Sequence, residues 1–96
     1  LLPLGSERLV IKGIPVGLSS SYLTNRFVMA NCTVDKGSPV RCNQFATPHT
    51  SDGDGSVERF PGAVFELWGD KDARNMRFVS RDTGAVIVEY FGQGGS

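Results

Sequence analysis

Ala85-Val86-Ile87-Val88-Glu89-Tyr90-Phe91 is the stretch that decides the fold. β-Branched and aromatic side chains fill five of its seven positions, which favours a pleated backbone over a helix. Its near-continuous apolar character predicts a central strand or one buried on both sides. Just upstream, Arg81-Asp82-Thr83-Gly84 fits a type I turn followed by a left-handed glycine. That turn would lead back to a strand over 75–81, with Met76 and Phe78 facing away from Arg77 and Val79. Gly69-Asp70-Lys71-Asp72-Ala73-Arg74 reads as a charged turn, and 63–68 as an alternating strand with Ala63, Phe65 and Leu67 on one face.

The first half is less sharply written. Arg8-Leu9-Val10-Ile11-Lys12 predicts a first strand, Gly13 a kink, and Pro15 an edge position for the extended residues that follow. Within 22–34 one face is wholly apolar (Val28, Ala30, Cys32, Val34), so this segment reads as a strand with that face inward. A helix over 22–30 competes poorly, because no apolar stripe forms at helical spacing. Residues 40–46 are expected to pair back on it as a hairpin. Thr47 to Ser56 is polar throughout and predicts an exposed loop. Val57-Glu58-Arg59-Phe60 would be a short strand ended by Pro61-Gly62.

Six or seven short strands, turn signals every eight to twelve residues and no confident helix predict an all-β domain. The expected architecture is a small antiparallel β-sandwich or partly open barrel. Residues 7–91 would form that single domain, with 1–6 and 92–96 as loose or appended ends. The 96-residue chain carries ten basic and ten acidic side chains. Neutrality argues against a dedicated electrostatic binder of nucleic acid, and no run of 18 apolar residues exists to span a membrane. The neutrality is uneven: residues 1–49 hold five basic and two acidic groups, the remainder five basic and eight acidic.

Cys32 and Cys42 flank a turn-like segment, and a hairpin centred on Gly37 would set them opposite each other at disulfide distance. A disulfide bracing a small core would suit a secreted protein. Asn31-Cys32-Thr33 matches the glycosylation acceptor pattern but adds little. No cofactor motif is present. Two thiols and the single histidine, His49, make a poor metal set. Residues 52–58 place oxygen side chains at alternate positions, yet they fail the calcium-loop pattern, with Ala63 where a bidentate Glu should be.

Three functions are in play. A protein-binding domain without catalytic activity would use an open edge strand or a surface of Trp68, Arg74, Arg77 and Arg81. Trp68 lies opposite the Ala63/Phe65/Leu67 face, either as second-face core, the favoured reading, or as an exposed anchor. A nucleic-acid-binding barrel would join Arg74, Arg77 and Arg81 to stacking aromatics, though the acidic residues around them oppose it. A small hydrolase would centre on His49 with Asp52 or Asp54, or pair Glu58 with Glu66 or Glu89.

In size and strand count the chain loosely resembles the small secreted β-sandwich effectors of plant-pathogenic fungi. Those proteins are often held by one disulfide that joins distant segments, whereas Cys32 and Cys42 are ten apart. The resemblance implies secretion and binding to a host protein, and it carries over no functional residue.

Overall fold

A computed structural model describes residues 1–45, 47–48 and 56–94. In chain order its elements are β1 (Leu2–Ile11), β2 (Val16–Gly17), β3 (Phe27–Val34), β4 (Val40–Asn43), β5 (Val57–Arg59), β6 (Val64–Trp68), α1 (Asp70–Asn75), β7 (Arg77–Ser80) and β8 (Gly84–Gly92). The strands form two antiparallel four-stranded sheets, in the orders β1-β8-β3-β6 and β2-β7-β4-β5. The fold is therefore all-β and sandwich-like rather than a closed barrel.

The β-prone segment is central, as its composition predicts: β8 lies between β1 and β3. It is buried on one face only. Val86, Val88 and Tyr90 are fully buried, while Ile87 and Glu89 on the other face are exposed. Opposite them in register, Val34, Cys32 and Ala30 of β3 bury the face that alternation assigned inward. The second sheet closes the core with Val40 and Cys42 of β4 and Phe78 of β7. Each large apolar side chain so buried contributes about 1.5–3 kcal/mol.

The expected hairpin between β3 and β4 does not form. β3 already has β8 on one side and β6 on the other, so β4 pairs with β5 and β7 in the other sheet. The connecting segment crosses between the layers, bonded through Asp35 N–H to Ala85 O at 2.9 Å and Ser38 N–H to Thr83 O at 3.0 Å. Gly37 makes the crossing at φ +130°, with Thr83 O only 2.8 Å from where a Cβ would stand.

The 81–84 turn likewise links two sheets, since β7 and β8 do not pair. Gly84 is not in the left-handed region. It is needed for space: an added Cβ would lie 2.5 Å from Ser38 O and 2.9 Å from a Val40 methyl. Gly84→Ala is accordingly expected to cost about 1–3 kcal/mol through overpacking, read as a lower urea midpoint with an unchanged m-value. An unchanged midpoint would show that the two crossings are not tightly packed.

Sheet assignment also corrects the disulfide. Cys32 and Cys42 sit on opposing sheets, not opposite each other in a hairpin, and both are buried free thiols.

Two other segments differ from expectation. Residues 2–6, expected as a loose arm, belong to β1 and pair with residues 89–92 of β8. The charged turn is a short helix, α1. Its Asp70 and Arg74 form an i,i+4 ion pair at 2.7 Å, and Ala73 is buried. Among the described residues eight strands stand where six or seven were expected, the two- and three-residue β2 and β5 included.

Candidate interaction surface

The outer face of the β1-β8-β3-β6 sheet is built in rows across the strands. One row reads Pro3, Phe91, Met29, Trp68; the next Ser6, Glu89, Asn31, Glu66; the next Arg8, Ile87, Thr33, Val64. The first row is apolar, and Trp68 and Val64 on edge strand β6 are 53% and 61% exposed. In the second row Asn31 Nδ2 donates to Glu89 Oε1 at 3.3 Å, and the Trp68 indole N–H donates to Glu66 Oε1 at 3.2 Å. No cation among the described residues forms an ion pair with Glu66 or Glu89. By contrast, Arg8 pairs with Asp35 at 2.9 Å, and the bond to that guanidinium holds the Asp35 carboxyl below its ordinary range.

The main chain of β6 adds to this face. Val34 N–H bonds Ala63 O at 2.9 Å, and Gly69 N–H bonds Val28 O at 2.8 Å. The antiparallel alternation then turns the N–H and C=O of Val64, Glu66 and Trp68 away from β3, toward the open edge. These same three residues present their side chains on the outer face. The other edges are blunted by devices that discourage pairing. β1 carries Pro3 and a bulge between Pro3 and Gly5, β2 follows Pro15, and β5 is only three residues long. β6 has no proline, lysine or bulge.

The residues singled out from sequence do not form one site. Trp68 is not core; it is exposed on the outer face just described. Arg74 and Arg77 come together with Ser20, Leu18 and Leu23 around a cavity of about 420 Å³ at the other sheet's edge. Both are engaged there. Arg74 bonds Asp70 and the Leu23 carbonyl, and Arg77 Nη1 donates to the carbonyls of Arg74 and Met76 at 2.7 and 2.8 Å. Arg81, exposed, follows β7 in the turn to β8 and lines neither place. The basic groove with interleaved aromatics required for nucleic acid is thus split, and its tryptophan stands among carboxylates.

His49, Asp52 and Asp54 lie outside the described residues. Among the described residues no three His, Cys, Asp or Glu side chains cluster as metal ligands. Glu58 pairs in register with Arg41, on the other sheet from Glu66 and Glu89, so those carboxylates are not brought together.

The sequence alone did not point to Asn31, Glu66 and Glu89 as one row. The shared parity of Val64, Glu66 and Trp68 was readable, but placing Asn31 and Glu89 beside them needed the strand order. In the core, burial and the neighbouring Cys42 push the Cys32 thiol up to about 12, and burial raises the Cys42 thiol against a lowering bond from Arg59. These thiols are packing groups, not activated nucleophiles.

No protein-family model, curated protein or solved structure matches this chain.

Proposed function

We propose that this chain is a non-catalytic protein-binding domain, and that strand β6 captures an extended, basic segment of another protein. The carrying observation is the geometry of Val64, Glu66 and Trp68: unpaired main-chain groups on an open edge and side chains on a partly apolar outer face. Strand addition supplies affinity through main-chain bonds, and alternate side chains supply specificity. Here alternate residues of the captured strand would lie beside Trp68 and beside Glu66, whose carboxylate forms no ion pair among the described residues. A lysine or arginine suits both, through the indole face and through Glu66.

Secretion and an effector-like role belong to the same proposal, but the free state of Cys32 and Cys42 removes the disulfide argument for them. The sandwich-like architecture still suits either compartment. A nucleic-acid partner is disfavoured by the carboxylates around Trp68.

Trp68→Ala tests the reading. A β-prone peptide with lysine at alternate positions should bind the parent domain and slow amide exchange at Val64, Glu66 and Trp68. In Trp68→Ala, and in Glu66→Gln, affinity should fall about tenfold or more, a loss typical of a central anchor. Stability should change by about 1 kcal/mol or less, since the indole is half exposed. Equal binding of a glutamate-substituted peptide, or unchanged affinity in Trp68→Ala, would reject the proposal.

A further inference from the structure

We infer that the cavity between the free edges of β5 and β6 is a binding site for a small carboxylate carrying an apolar body. It lies on the inner side of β6, away from the outer face that carries the proposed protein contact. Its volume is about 250 Å³, smaller than the ~300–1,000 Å³ of sites for drug-sized ligands. Val57, Phe65, Leu67 and Met76 give it apolar walls, and Asn43 and Gln44 add polar groups to the lining.

Arg59 gives the site its charge. Its side chain crosses from β5 to β6 and stacks on Phe65, with the guanidinium carbon 4.7 Å from the ring centre. Its Nε is buried and has no hydrogen-bond partner, and no carboxylate among the described residues forms an ion pair with it. The guanidinium also bonds the Cys42 thiol. A buried donor without an acceptor costs free energy that a native fold rarely leaves unrecovered. A planar guanidinium takes a carboxylate through two parallel N–H···O bonds, and a small side-chain shift on binding is ordinary. Glu66, the one acidic residue of the lining, holds its carboxylate on the outer face against the Trp68 indole.

Phe45 is the second observation. It stands at the cavity mouth 91% exposed, with its N–H held by Asn43 Oδ1 at 2.8 Å. An aromatic ring so placed packs on little of its own chain and is positioned to cover an occupant. The ligand's apolar part would lie between Phe45 and the Leu67/Met76 wall, with its carboxylate on Arg59.

The probe is 3-phenylpropionate, with 3-phenylpropionamide as its uncharged match, titrated by calorimetry and by NMR shifts of Leu67 and Met76 methyl groups. The acid should bind and move both sets of signals. The amide should bind about tenfold or more weakly, the loss expected for one charge-assisted hydrogen bond. Arg59→Met, which keeps the apolar stem, should weaken acid binding to the level of the amide. Phe45→Ala should weaken both ligands while leaving the melting temperature unchanged, which separates binding from folding. A short peptide ending in phenylalanine, with a free or amidated C-terminus, tells a free acid from a chain end as the source. Preference for the free terminus supports the site as much as binding of the free acid does. Equal binding of acid and amide, an unaltered affinity in Arg59→Met, or shifts confined to residues outside the cavity would overturn the assignment.

Discussion

Tyr90→Ala should cost about 3–5 kcal/mol, the usual range for removing a large aromatic ring from a packed core. Tyr90 is fully buried in the middle of β8. Its ring stacks on Tyr22 with centroids 4.5 Å apart and 17° between planes, and meets the edge of Phe27 at 6.2 Å. The hydroxyl donates to Glu7 on β1, whose carboxylate also accepts from Ser19 N–H at 3.1 Å. The one side chain therefore joins β1, β3, β8 and the loop before β3. A domain of this size is stable by about 5–15 kcal/mol, so the loss would consume a large share. Each kcal/mol should lower the melting temperature by about 4–8 °C. Tyr90→Phe separates the two contributions. It keeps the stacking and deprives Glu7 of one donor, with an expected loss of about 1.5–3 kcal/mol for a bond to a charged group. Chemical denaturation of the two variants checks both figures. If Tyr90→Phe proves as damaging as Tyr90→Ala, the hydroxyl network and not the ring stack holds the sheet.

Stability should also fall steeply in alkali. Cys32 is pushed up to about 12 from an ordinary 9.0, chiefly by burial and then by Cys42. Burial raises Cys42 as well, and burial followed by the bond to Glu7 raises Tyr90. In all three the folded state holds its proton longer than the unfolded chain does. Their contribution is complete below about pH 9 and is lost as the pH climbs from the unfolded values toward the folded ones. For Cys32 alone the loss is about 1.4 kcal/mol per pH unit, on the order of 4 kcal/mol between pH 9 and 12. Urea midpoints at pH 7, 9, 10 and 11 at constant ionic strength should show a plateau followed by a decline. Cys32→Ala/Cys42→Ala should flatten the early part of the decline, leaving the part due to Tyr90. A midpoint independent of pH up to 11 would mean that the thiols are not desolvated in the folded chain. The same burial predicts negligible reaction of either thiol with a maleimide until the protein unfolds.

Local patterns were readable wherever a side-chain period met one layer of water and one of protein. The inward faces of β6 and of β3 from Ala30 onward followed from alternation, whereas the bulge between Phe27 and Met29 sends Phe27 into the core and leaves Val28 half-buried; Pro15 correctly marked an edge. The same reasoning failed at 34–40 and 81–84. Short turn-like links can fold back within a sheet or cross to the next, and nothing local distinguishes the two. Both crossings depend on contacts between segments some 45 residues apart, such as Ser38 N–H with Thr83 O. The short helix at 70–75 was missed because six residues are too few for a helical period to show. Trp68 was favoured as core because large apolar side chains were scarce. Its exposure follows from the parity of an edge strand whose inner face is already filled by Phe65 and Leu67.

The sequence by itself determined an all-β chain, the central place of residues 85–91, and the faces of most strands, because β propensity and two-residue alternation act within a few residues. Only the tertiary structure decided which strands became neighbours. That choice put Cys32 and Cys42 on opposing sheets and aligned Glu89, Asn31 and Glu66 in one row. It also left β6 open and brought Arg59 across to Phe65. The physical reason is that sheet order is set by distant main-chain pairing and by a core shared between two layers, and neither is encoded in the period of any single segment.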